Sequence, residues 1–129
     1  MVKGDVERWA QFEPQVGSAA AARRFVRTEL ELLSVPEPPM ETAILLTSEL
    51  VSNAYLHART EVDLRLVKAA TCVRVEVRDG NSRYPVASAT PADATSGRGL
   101  MMVQALAESW GIDGTGDGKT VWFELPFPV

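Results

Sequence analysis

Three short stretches of this chain carry side chains suited to chemistry: Glu49-x-x-x-Asn53, Asp79-Gly80 and Gly97-Arg98-Gly99-Leu100. Glu49 and Asn53 stand four apart, which on a helix makes them neighbours on one face. A glutamate carboxylate can take a proton from an attacking hydroxyl or water. An asparagine carbonyl oxygen can fill one place in a magnesium shell otherwise made of water and phosphate oxygens. His57, one turn further, is a candidate for supporting these groups or touching phosphate. The competing reading of Glu49 and Asn53 is two solvated residues on an outer helix face. Leu50, Val51 and Ala54 flank them closely and argue that the face is only partly polar.

Asp79 is in phase with Val73, Val75 and Val77, so on a strand its carboxylate points to the core side. A buried carboxylate needs donors, and the exocyclic amino group of adenine is a fitting one. Guanine, with a carbonyl at that position, is not. The alternative is an acid at a turn, bonding local backbone amides through Asp79-Gly80-Asn81-Ser82. Gly97-Arg98-Gly99 is expected just before a helix, where glycines let backbone amides approach phosphate and the helix terminus adds partial positive charge. Glycine before a helix is also ordinary loop chemistry. Arg98 offers either a charge-assisted phosphate contact or a solvated side chain.

The elements that must hold these groups follow from periodicity. Residues 7–12 read as a short strand. Ser18 is expected to cap a helix to about Leu33, striped by Ala22, Phe25, Val26, Leu30 and Leu33. Val35-Pro36-Glu37-Pro38-Pro39 breaks it, and Pro39 suits the first turn of a second helix running to about His57. Val62, Leu64 and Leu66, then Val73, Val75 and Val77, alternate with charged residues as two strands. Residues 81–96 form a long connection of the kind that serves as a lid. A helix from Gly99 to about Ser109 and a hairpin, Trp110–Asp113 with Lys119–Leu125, complete the order β-α-α-β-β-α-β-β. That order predicts an α+β fold, a two-layer α/β sandwich.

At 129 residues the chain reads as a single domain spanning 1–129. Hydrophobic residues make up 46% and charged residues 23%, which is globular rather than disordered composition. The net charge of −4 argues against sequence-independent binding to nucleic acid or an anionic membrane. No apolar run approaches ~18 residues, and the single Cys72 leaves no internal disulfide. A cytoplasmic protein is expected.

With these residues in place, the chain resembles the GHKL superfamily of ATP-binding domains, shared by gyrase-type topoisomerases, the Hsp90 chaperone, histidine kinases and mismatch-repair ATPases. Within it, the chain looks most like the stand-alone bacterial anti-sigma factors with serine-kinase activity. E-L-V-S-N-A-Y-L-H-A, from Glu49 to Ala58, resembles the family's N box. V-R-D-G-N, from Val77 to Asn81, resembles its adenine box. S-G-R-G-L-M-M-V, from Ser96 to Val103, resembles the glycine box at the end of its lid, and G-K-T-V-W-F-E-L-P, from Gly118 to Pro126, its final strand.

The resemblance implies a Bergerat pocket with a mobile ATP lid at about 81–96. Asn53 would bind magnesium, and Asp79 the adenine amino group. Gly80, Gly97, Arg98, Gly99 and Leu100 would border the nucleotide. Glu49 would act as the catalytic base on a substrate serine. ATP and Mg2+ are the implied cofactors. The implied partners are an anti-anti-sigma protein of the STAS type, a sigma factor and a second copy of the chain. The sequence departs from the family in two places. The adenine box normally reads D-x-G-x-G, whereas Asp79 is followed by Gly80, Asn81, Ser82 and Arg83. The adenine-contacting threonine of the last strand falls near Lys119, and Thr120 replaces it only if that strand carries a bulge. Two functions therefore compete: an ATP-dependent serine-protein kinase, and a non-catalytic ATP-binding or nucleotide-free anti-sigma module. A detached histidine-kinase domain is argued against by the lone His57, which lies inside the N box. A DNA-acting ATPase is argued against by the acidic balance.

Overall fold

The computed structural model describes residues 5–80, 94–115 and 117–127, with His57, residues 94–99 and Thr115 described through their backbone alone. The expected element order is observed: β1 (Val6–Phe12), α1 (Ser18–Leu32), α2 (Pro39–Asn53), β2 (Val62–Lys68), β3 (Cys72–Asp79), α3 (Ala94–Leu106), β4 (Ser109–Thr115) and β5 (Gly118–Pro126). The strands form one antiparallel sheet in the order β1-β2-β3-β5-β4. Helices cover one of its faces, which makes the two-layer α+β sandwich. Most of the anticipated lid, residues 81–93, lies outside the described residues.

Alternation in the strands decides which face is buried. Along β3, Val73, Val75, Val77 and Asp79 are buried while Cys72, Arg74, Glu76 and Arg78 are half-buried. Val121, Phe123 and Leu125 of β5 and Leu64 and Leu66 of β2 line the same inner face. Against them pack Ala22, Val26 and Leu30 of α1, four apart on one stripe, and Ala43, Ile44, Leu50 and Val51 of α2. Phe123 is fully buried at the centre. Such a ring contributes about 1.5–3 kcal/mol by burial alone.

Three local expectations are corrected. Helix α1 is capped by Gly17, not Ser18: Gly17 takes the left-handed φ of 95°, which glycine adopts at little cost. Ser18 is the first helical residue, and its hydroxyl donates to the Glu13 carbonyl. Helix α2 ends at Asn53 and continues as a π turn, Ala54–Ala58, closed by Arg59 at φ 56°. Helix α3 begins at Ala94 rather than Gly99. The alanine and hydroxyl residues before Gly97 extend the helix upstream, so the two glycines lie inside its first turns.

Candidate functional site

Helix α2 presents the first pair of candidate groups. Its apolar positions face the sheet, which leaves Glu49 and Asn53 half-buried beside Leu50 and Val51. The Asn53 amide oxygen itself is buried. The helix packs against β3, β5 and α3, so the N-box face lies in the layer that covers the sheet. Ser48, adjacent to Glu49, accepts a 2.7 Å hydrogen bond from Arg23 of α1, which helps to set the roll of α2. Sequence reasoning did not anticipate that contact.

At the end of β3, Asp79 points to the core side, as its phase requires, and is 7% exposed. Lys119 of β5 is also 7% exposed, and its Nζ donates to Asp79 Oδ1 at 3.0 Å. The two residues lie directly opposite each other in the ladder, where Val77 pairs with Val121, Arg78 with Thr120 and Asp79 with Lys119. A Cβ added to Gly118 would collide with the Asp79 carbonyl oxygen. Glycine at that position therefore lets β5 run close enough to bring Lys119 onto the acid. The phase of Lys119 was readable in the sequence, but its partner became visible only through cross-strand register.

The same register corrects the expectation for Thr120. The β3–β5 ladder runs without a bulge, so Thr120 shares the outer face with Trp122 and Glu124 and points away from Asp79. Period-two alternation allows no other outcome in an unbroken strand. It is Lys119 that occupies the inner position.

Gly80 follows Asp79, and its N–H donates to Thr60 Oγ1 at 2.8 Å. A Cβ at Gly80 would meet the Thr60 side chain at 3.2 Å. That amide is thus engaged with the loop before β2 rather than presented outward. No sequence signal marked Thr60 for this role. The backbone at Gly97, Arg98 and Gly99 is helical, and Leu100 of the same turn is buried. The side chains of Arg98 and His57 lie outside what is described.

The donor types present fit a magnesium nucleotide. Asp79 is a buried acceptor at a strand end, and the Asn53 amide oxygen is a hard donor of the kind magnesium takes. Among the described residues, no group of three His, Cys, Asp or Glu side chains could hold a metal ion. A magnesium ion carried in on phosphates, with Asn53 as its protein ligand, matches that donor set. A shallow cleft of about 270 Å3 between α1 and α2 is lined by Ala20, Arg23, Arg24, Arg27 and Ile44, none of them a candidate residue. No helix among the described residues is long and apolar enough to cross a membrane.

The family model described as the histidine kinase-like ATPase domain matches residues 12–125. Among solved structures, the fold is similar to the crystal structure of the RsbU and RsbW domains of Rv1364c from Mycobacterium tuberculosis. The TM-score is 0.73 at 19% identity, over 96% of this chain and 34% of that one. At that identity the likeness is one of fold, and the chain spans about a third of the length of the chain it matches. No curated protein sequence matches.

Proposed function

We propose, from the premise that this chain belongs to the histidine kinase-like ATPase family, that it is an ATP-dependent protein-serine kinase acting as a regulatory switch. The substrate is a serine on a small anti-anti-sigma protein of the STAS type, and the alternative partner is a sigma factor. The observation that carries the reading is the buried Asp79 carboxylate at the end of β3, with Glu49 and Asn53 on the helix that packs over that strand. In this arrangement Asp79 accepts a hydrogen bond from the adenine amino group. Asn53 would hold a magnesium ion through its amide oxygen, and that ion would supply charge neutralisation on the triphosphate oxygens. Glu49 accepts the proton of the serine hydroxyl as the serine oxygen bonds to the γ-phosphorus and ADP leaves. Gly97 and Gly99 place no Cβ on the first turns of α3, so phosphate can approach the helix surface closely there, and two copies of the chain form the working unit.

Incubation with labelled ATP, magnesium and purified STAS-domain proteins tests the reading, with retained nucleotide and phosphoserine read separately. Both signals are expected. Absence of phosphoserine on any partner, with or without retained nucleotide, would favour the second reading, a non-catalytic ATP-binding or nucleotide-free module whose output is sequestration. A specific observation supports that second reading: the Asp79 carboxylate is engaged by Lys119 and the Gly80 amide by Thr60. Both contacts compete with a nucleotide.

A further inference from the structure

On the reading above, Asp79 meets the nucleobase alone. The ladder between β3 and β5 sets a second group beside it. The side chains of Lys119 and Asp79 are 9% and 8% exposed, with Nζ and Oδ1 3.0 Å apart. The position is built into the fold, because Lys119 is in phase with the buried Val121 and Phe123 and lies directly opposite Asp79. Gly118 keeps the strands close. An ammonium carries three donors and no acceptor, and an ionised carboxylate is an acceptor throughout. Their mutual bond engages one oxygen of the acid and one proton of the ammonium, so it fixes their order without exhausting either group. The end of the β3–β5 ladder is thus an acceptor with a donor at its side, both charge-assisted.

From this juxtaposition, and resting on the assignment of Asp79 to the adenine amino group above, we infer that Lys119 is a second base-reading residue. It donates a charge-assisted hydrogen bond to the ring nitrogen beside that amino group. Acceptor and donor stand in one fixed order, and adenine matches it. The 6-amino group donates, and the ring nitrogens to either side of it, N1 and N7, both accept. With the amino group on Asp79, the neighbouring ammonium meets an acceptor whichever side of the base it faces. A 6-oxopurine in the same seat sets its oxo oxygen against the carboxylate, so the order excludes it. On this inference Lys119 adds to nucleotide affinity. It holds the base by a second point and fixes its rotation about the amino contact, which a single acceptor leaves open.

The test is calorimetric binding of ATP, 1-deaza-ATP and 7-deaza-ATP to the full chain with magnesium. Each analogue keeps the amino group and exchanges one ring nitrogen for C–H. In wild type one analogue should bind about 10- to 150-fold more weakly than ATP, which is the loss of one charge-assisted bond. The other should bind like ATP, and the weakened one identifies the nitrogen that Lys119 reads. Lys119→Met keeps the apolar stem and removes the ammonium, with circular dichroism to verify folding. In that variant ATP should weaken by a similar factor, and the difference between the analogues should vanish. Equal responses of the two analogues in wild type, or a difference that survives in Lys119→Met, overturns the inference and leaves the ATP pocket standing. So does ATP affinity that is unchanged or raised in Lys119→Met. Absence of ATP binding to wild type overturns both. If Lys119→Met fails to fold, the wild-type comparison decides alone.

Discussion

On the outer face of β3 and β5, Arg74 bridges Glu76 at 2.8 Å and Glu124 at 3.1 Å, and its guanidinium lies 4.1 Å from the centre of the Trp122 ring. Arg65 extends the lattice to Glu76 and Glu7. On the inner face of the same two strands, among the described residues, Asp79 and Lys119 form a bridge of similar length. The chemistry is alike but the surroundings differ. Outer-face pairs sit partly in water, where screening and side-chain entropy reduce each to about 0–1 kcal/mol. Desolvation makes the inner pair costly to assemble and more costly to break. The number of ion pairs thus says little about their importance, whereas burial separates a surface lattice from a site.

The largest effect should come from the helix that covers the inner face. Glu49→Ala is expected to slow phosphoryl transfer to a partner serine by roughly 10²–10⁴-fold while leaving ATP affinity nearly intact, because a general base acts in the transition state. Single-turnover transfer with labelled ATP measures this, and Arg74→Ala on the outer face should transfer at the wild-type rate. Transfer by Glu49→Ala at the wild-type rate would remove the inner face's claim to catalysis.

Next comes the inner pair itself. Lys119→Ala takes the cation from beside a buried carboxylate and should lower unfolding free energy by about 3–5 kcal/mol. Replacing both partners with apolar residues, Asp79→Leu with Lys119→Met, should recover most of that loss. Urea denaturation of the two variants distinguishes a buried pair from one that behaves like its outer-face counterparts. Asp79→Asn exchanges a charge-assisted acceptor for a neutral amide and should weaken ATP by about 10- to 150-fold, or roughly 1.5–3 kcal/mol. Equilibrium binding reads the change. An unaltered affinity would mean that the base docks elsewhere.

The smallest effect belongs to the outer face. The hydrogen bond from Ser109 Oγ, together with Arg74, holds the Glu124 carboxyl below its ordinary range against the opposing effect of burial. A carboxyl depressed in the folded state stabilises above its unfolded pKa, and that contribution is lost as pH falls through the folded value. Ser109→Ala should therefore cost under about 1 kcal/mol at neutral pH and shift loss of stability on the acid side to higher pH. Urea midpoints measured from neutral pH down to pH 3 test this.

Much of the architecture was legible because its determinants are local. Period-two alternation through Val73, Val75 and Val77 fixed the direction of Asp79, and Pro39 marked the first turn of α2. What stayed hidden depends on partners distant in sequence. Nothing in the run of residues from Gly118 says that Lys119 meets an acid forty positions earlier, or that the Thr60 hydroxyl takes the Gly80 amide. The start of α3 was misplaced because glycines were read as a boundary, although a helix already nucleated by Ala94 can carry them. Thr120 needed a bulge that the unbroken register excludes.

The π turn at Ala54–Ala58 bears on how this chain tolerates changes in length. A residue removed from α2 between Glu49 and Asn53 would rotate everything beyond it by about 100°, swinging Asn53 away from Glu49. Within 54–58 the backbone already accommodates a residue more than an α turn would. A one-residue deletion there can relax into ordinary α-helix, with Glu49 and Asn53 undisturbed upstream and β2 entering the sheet where it does now. The segment next to the candidate catalytic pair is thus the part of the helix best able to absorb a one-residue deletion.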